Sequence, residues 1–205
     1  MGEDFEKSEV DEETLLAVLS DAQDALASSD IPYLLIGGIP SAVYGRPRST
    51  EDLDIFIKPE HNDDALAALD AAGFETKKAE PEWLYKAAKK DVLVDVIFRA
   101  EGNFYLDGTM IERAVETDYK GRKVLLVPPE DLLVMKAVAT EEEIAHYWFD
   151  ALAILVQTEI DWDYLLERSQ HGTKRMLSLL VYAQSSDLLV PEEVIRKLFQ
   201  LVYNR

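Results

Sequence analysis

"LLIGGIPSAVYGRPRSTEDLDIFI", residues 34–57, is the stretch whose reading decides the fold. An apolar run ends at Gly37-Gly38, and Asp52 and Asp54 then stand two apart inside a second apolar run. "PYLLIGG" reads as a buried strand ending at a glycine turn, and "IPSAVYG" as a short helix stopped by Gly45. "DLDIFIK" alternates and is rich in β-branched and aromatic residues, so it reads as a second strand. Side chains alternate across a strand. Asp52 and Asp54 therefore share a face, about 6.6–7 Å apart along the backbone, while Leu53 and Ile55 point the other way, into a core.

Two carboxylates on one face repel each other unless a cation lies between them. Hard oxygen ligands held this way suit Mg²⁺, which takes few carboxylates and completes its shell with phosphate and water; Mn²⁺ is the alternative ion. The competing reading is a pair of ordinary acids at a solvated strand end. Asp95 bears on the choice, because it interrupts "VLVDVIF", a segment otherwise fit for burial on both faces. A buried carboxylate without a partner costs several kcal/mol, so it needs a cation or hydrogen-bond donors. If its strand lies beside the Asp52–Asp54 strand, three carboxylates converge and two metal ions roughly 3.5–4 Å apart can be held. Otherwise Asp95 sits at a strand edge and caps a loop. An Asp95 turned away, or a salt link already filling the gap, removes the basis for this site.

The surrounding residues admit the same two kinds of reading. Gly37-Gly38 permits close backbone approach, and the start of a helix offers free N–H groups to a phosphate. Ser41 adds a hydroxyl in the first turn, and Pro40 is tolerated there. Arg48 suits a phosphate oxygen, or else a salt bridge to Glu51 or a neighbouring acid; Thr50 is placed to fix the loop. Lys136, in "PPEDLLVMKAVA", is offset from the Leu132, Leu133, Met135 stripe, so it faces a cleft or water. Asp150, in "HYWFDALAIL", interrupts an apolar helix face and needs a partner, for which Lys136 is a candidate.

The rest of the chain frames this block. Its 205 residues, 48% hydrophobic and 30% charged, suffice for one substantial core, or for one core and a small helical appendage. No apolar run approaches the roughly 20 residues needed to cross a bilayer, so no membrane partner is expected. The acidic N-terminus lacks the apolar segment of a secretory signal. There are no cysteines, which excludes disulfides and thiolate metal sites and fits a cytoplasmic location. Three histidines, none paired at helical spacing, argue against a histidine metal site. A net charge of −19 disfavours sequence-independent binding to nucleic acid, although "KK" at 77–78, "KK" at 89–90 and "GRK" at 121–123 are candidates for a local patch.

Periodicity predicts a helix over 11–28, a helix in "HNDDALAALDAAGF" with Gly73 just past its end, a short strand in "FETKKA" and a strand in "DVLVDVIFR". A helical turn and then a hairpin closed near Tyr119-Lys120-Gly121 follow. Beyond Pro128-Pro129 five segments are amphipathic helices: "EDLLVMKAVA", "EEIAHYWFDALAILVQ", "DWDYLLERSQ", "TKRMLSLLVYAQ" and "PEEVIRKLFQLVY". The expected organisation is an acidic tail over 1–13, an α/β core over 14–127 and a helical bundle over 128–205, with 103–127 able to join either part.

Gly37-Gly38, "DLD" at 52–54 and "VDV" at 94–96 together resemble the nucleotidyltransferase superfamily with the polymerase-β-type palm. Within it, "GGIPSAVYGRPRSTEDLDIFI" looks like the AbiEii/AbiGii-type toxin nucleotidyltransferases, and "VPPEDLLVMKAVA" with "FDALAIL" is similar to that group's later segments. The resemblance covers roughly residues 32–157. It implies an α+β fold, a mixed sheet backed by helices and followed by a C-terminal helical bundle. It also implies transfer of a nucleoside monophosphate from a nucleoside triphosphate to an acceptor hydroxyl, with release of pyrophosphate. In that scheme Asp52, Asp54 and Asp95 are catalytic and hold two Mg²⁺ ions, and Asp95 can receive the acceptor's proton. Gly37, Gly38, Ser41, Arg48, Thr50, Lys136 and Asp150 form the nucleotide site. The acceptor is a small molecule such as an antibiotic, a tRNA end or a protein, and an antitoxin protein is an expected partner. A catalytically silent module that binds nucleotide or a partner protein is the alternative. The intact aspartates favour the enzyme, and the lack of Arg or Lys in "EEEIAHYWFD" favours the silent module.

Overall fold

The computed structural model describes residues 10–140 and 145–203. The expected tail over 1–13 therefore lies largely outside the described residues. Its last part is structured: Asp11 accepts the Thr14 N–H at 2.9 Å and caps α1, Glu12–Ser28. The proposed helix in "EEIAHYWFDALAILVQ" is described from His146, as α6, His146–Gln157.

The described residues form two compact units. One comprises the chain up to Ile39, residues 48–100 and residues 105–127; the other comprises 40–47, 101–104 and the chain from Pro128. Residues 105–127 thus pack with the sheet, while the segment leading into them and most of α2, Gly38–Tyr44, pack with the later helices.

In the first unit, seven strands form one mixed sheet in the order β3-β4-β5-β2-β1-β7-β6. β1 is Tyr33–Ile36, β2 Asp52–Ile57, β3 Glu75–Glu80, β4 Leu84–Lys89, β5 Val92–Ile97, β6 Val115–Tyr119 and β7 Arg122–Leu126. β1 and β2 run antiparallel, with Ile36 opposite Asp54 and Tyr33 opposite Ile57. β2 pairs parallel with β5, and β1 parallel with β7. The crossover from β2 passes through α3, Asn62–Ala71, which ends at Gly73 with φ +81°, the left-handed position expected just past a helix.

β4 is an element that periodicity does not reveal. "LYKAAK" is short and rich in Ala and Lys, which favour strands weakly. It is extended because β3 pairs with it on one side and β5 on the other. A two-residue turn at Lys90 (φ 51°) and Asp91 (φ 62°) joins it to β5, the positive-φ pair that matches strand twist. The hairpin expected at Tyr119-Lys120-Gly121 has the same geometry, with φ 54° and 83° at Lys120 and Gly121.

One face of the central strands is the core of this unit. Leu53, Ile55, Ile57, Val92, Val94 and Val96 are fully buried, as are Val18, Leu19, Ala22 and Leu26 of α1 and Leu69 of α3. The opposite face carries Asp52, Asp54 and Asp95. "VLVDVIF" is therefore covered unevenly: its even-numbered valines are sealed, while Asp95 and Ile97 are half-buried.

The second unit is built around α5, Pro129–Ala139, which is buried from Glu130 to Ala137. α6, α7 (Trp162–Arg168) and α8 (Thr173–Ser185) pack on it, and α9 (Glu192–Tyr203) packs on α8. A further short helix, α4 (Gly108–Glu112), belongs to the first unit. Among the described residues no helix is long and apolar enough to cross a membrane.

The burial of Leu53 makes the assignment of the two faces testable. Leu53→Ala removes most of a sealed side chain and is expected to lower stability by about 2–5 kcal/mol in urea unfolding. A loss below about 0.5 kcal/mol, the usual range for a surface position, contradicts the assignment.

Candidate active site

The acidic face is built on the end of β1 and the start of β2. Gly37 has φ +68°, and a Cβ placed on it would lie 1.8 Å from Asp54 Oδ2. Only glycine tolerates both conditions. A Cβ at Gly38 would lie 2.4 Å from Thr50 Oγ1. Thr50 in turn donates its hydroxyl to Asp52 Oδ1 at 3.0 Å and to the Asp52 carbonyl at 3.2 Å. The two glycines are thus the space in which Asp54 and Thr50 sit, and Thr50 orients Asp52. Arg48 lies half-buried in the loop that leads to β2.

The parallel register sets Asp54 beside Asp95 and Asp52 beside Leu93. Register partners in a pleated sheet share a face, so the third carboxylate is a lateral neighbour of the second. This much agrees with the expected convergence. β4 also brings a cation to the same row. Lys86 is opposite Asp95, and its Nζ lies 3.1 Å from Asp95 Oδ1 with both side chains largely covered, 24% and 18% exposed. Among the described residues no group of three or more His, Cys, Asp or Glu side chains is disposed to hold a metal ion. Asp52 and Asp54, held on one face beside a glycine turn, still fit a single hard ion that draws its other ligands from phosphate and water.

Ser41, Lys136 and Asp150 belong to the second unit. Ser41 is buried in α2. Gly45 closes that helix where a Cβ would meet Ala153 of α6 at 3.2 Å, and Thr158 Oγ1 donates to the Tyr44 carbonyl at 2.6 Å. Burial, with the Glu130 charge nearby, pushes the Tyr44 hydroxyl well above its ordinary pKa. Lys136 is buried rather than in water. Its Nζ lies 3.3 Å from Asp150 Oδ2, both side chains are 5% exposed, and the ammonium stands 4.1 Å over the Tyr147 ring.

Sequence reasoning missed the other charges of α5. Glu130 accepts the Asp161 N–H at 2.8 Å. Asp131, fully buried, accepts from Tyr164 Oη at 2.7 Å and from Arg168 Nε at 2.5 Å. It missed Lys86 as well, because "LYKAAK" has no alternation that would mark it as a strand. The basic tracts are engaged locally: Lys78 with Asp63, Lys89 with Asp21 and Lys123 with Glu116, at 2.7, 2.7 and 2.8 Å.

Residues 2–200 match the model of the family described as "Uncharacterised nucleotidyltransferase". The chain belongs to this nucleotidyltransferase family. No protein of curated function matches it by sequence. Solved structures share the fold at low identity. The crystal structure of the lincosamide antibiotic adenylyltransferase LnuA with lincomycin bound has a TM-score of 0.52 and 20% identity, over 74% of this chain and 100% of that one. The solution structure of the antibiotic-resistance factor ANT(2'')-Ia gives 0.56 and 15%, over 86% and 100%. An antigenic nucleotidyltransferase-like protein from Paracoccidioides brasiliensis gives 0.56 and 18%, over 94% and 96%. The seven-stranded mixed sheet backed by helices is the architecture of these nucleotidyltransferase-fold proteins.

The Lys136–Asp150 pair gives a prediction for this nucleotidyltransferase that is independent of catalysis. Asp150→Ala leaves a buried ammonium and is expected to cost about 3–5 kcal/mol in urea unfolding. Adding Lys136→Met to Asp150→Ala is expected to recover part of that loss, with a coupling of at least about 1 kcal/mol. Strict additivity contradicts the pair.

Proposed function

We propose that the protein moves a nucleoside monophosphate from a nucleoside triphosphate to the hydroxyl of a small acceptor, on the face formed by Gly37, Gly38, Thr50, Asp52 and Asp54. The observation that carries this reading is the seating of the Asp54 carboxylate in the space that a side chain at residue 37 would fill. It sets two carboxylates beside a glycine turn, whose main-chain N–H groups suit β- and γ-phosphate oxygens. Asp52 and Asp54 would hold a divalent ion, Mg²⁺ or Mn²⁺, which would supply charge neutralisation for the triphosphate.

The residues of the chain supply the rest. Thr50 holds Asp52 in place, and Gly37 allows Asp54 its approach. Arg48 is assigned to a phosphate oxygen, while Lys136 and Asp150, buried against each other, shape their own unit. The acceptor oxygen bonds to the α-phosphorus, the bond from that phosphorus to the bridging oxygen breaks, and the acceptor's proton passes to Asp95. A small acceptor is favoured over RNA because the net charge is −19 and Lys78, Lys89 and Lys123 are each tied to an acid. LnuA with lincomycin is a fold relative with an acceptor of that size. A role as the toxin of a toxin–antitoxin pair, with an antitoxin partner, rests on the AbiEii-like segments over 37–57, 127–139 and 149–155 alone. The Lys86–Asp95 pair favours a second reading, a module that binds nucleotide without turnover.

Labelled transfer separates the two. The protein is incubated with Mg²⁺, each α-labelled nucleoside triphosphate and the small-molecule or the RNA fraction of a cell extract. Label is expected in the small-molecule fraction, and Asp54→Asn is expected to lower the rate at least about a hundredfold while keeping the parent's circular dichroism. Transfer by Asp54→Asn at the parent's rate, or the absence of transfer with every nucleotide, contradicts the proposal.

A further inference from the structure

Lys86, Asp95 and Asp54 occupy one row across three adjacent strands. Lys86 is opposite Asp95 in the β4–β5 register, and Asp95 is opposite Asp54 in the β2–β5 register. Their side chains therefore share the face that carries Asp52. The Lys86 ammonium lies 3.1 Å from Asp95 Oδ1, and the two side chains are 24% and 18% exposed. A surface pair of this kind is weak, because both partners keep their hydration. Here both are partly stripped of water by the sheet around them, and β4 is fixed on both edges by hydrogen bonding to β3 and β5.

From this row we infer that Lys86 stands where a second divalent ion would otherwise bind, so that the site takes one metal ion per nucleotide. The inference rests on the transferase reading above. Its physical ground is charge. A carboxylate that already holds an ammonium is a poor ligand for a dication, because the two cations repel each other across a short distance with little water between them. Asp54 lies beside the Gly37 turn, and Asp52 is held by Thr50. Lys86 is in this sense a positioning residue: it fixes the Asp95 carboxylate and sets the number of ions the face admits.

The count of bound metal tests it. Mn²⁺ is titrated into the full chain, followed by electron paramagnetic resonance, with the non-hydrolysable analogue of each of the four ribonucleoside triphosphates. The parent is expected to bind a single Mn²⁺ per bound nucleotide. Lys86→Met is expected to bind a second, and Lys86→Arg to behave as the parent; Lys86→Gln serves as a further variant that keeps a polar side chain. Two ions in the parent overturn the inference and leave the transferase reading standing. A single ion in both Lys86→Met and Lys86→Gln removes Lys86 from the role. No ion and no nucleotide in the parent, with any analogue, overturns both.

Discussion

The Asp54 carboxylate lies where a side chain at residue 37 would be, and the acidic face depends on that approach. The β1–β2 register sets Ile36 opposite Asp54, so the residue after Ile36 must turn away from the strand without projecting a Cβ. Gly37 does so at φ +68°. The next glycine makes room for Thr50, whose hydroxyl orients Asp52. A larger residue at position 37 or 38 would displace a catalytic candidate before it changed anything in the core. This couples a backbone conformation to the chemistry of the face, and it explains why the glycines and the aspartates occur together in one stretch of sequence.

Charge is the second constraint. The protein is strongly acidic, yet the covered charges described here come with partners of opposite sign or with hydrogen-bond donors. In the second unit Lys136 meets Asp150, and Asp131 meets Arg168 and Tyr164, all inside a helix packing otherwise made of Leu, Val, Met and Ala. Burying such pairs adds little net stability, but breaking one is costly. In the first unit the Lys86–Asp95 pair follows the same rule on the acidic face.

Much of this was legible in the sequence because it depends on local pattern. Alternation in "DLDIFI" separated Asp52 and Asp54 from Leu53 and Ile55, and the structure seals the latter two completely. Gly73 marked the end of α3, and Tyr119-Lys120-Gly121 marked a hairpin. What escaped was set by distant pairing. β4 has little strand propensity of its own and is extended because two neighbours hold it. With β4 unseen, its lysine was unseen too, and the Lys86–Asp95 ion pair was not foreseen. Lys136 was read by its offset from a leucine stripe, which cannot show that α5 is covered on nearly every side. Family membership was visible in Gly-Gly and Asp-x-Asp, whereas acceptor and subtype are properties of side chains that such motifs do not contain.

The central claim is that the Asp52–Asp54 face beside Gly37-Gly38 receives metal and triphosphate together. A crystal grown with Mn²⁺ and a non-hydrolysable triphosphate, examined by anomalous scattering at the manganese edge, measures this directly. The account predicts a manganese peak within about 2.0–2.3 Å of carboxylate oxygens from both Asp52 and Asp54, with phosphates over the Gly37-Gly38 turn. Nucleotide bound elsewhere on the chain, or manganese away from both carboxylates, contradicts it.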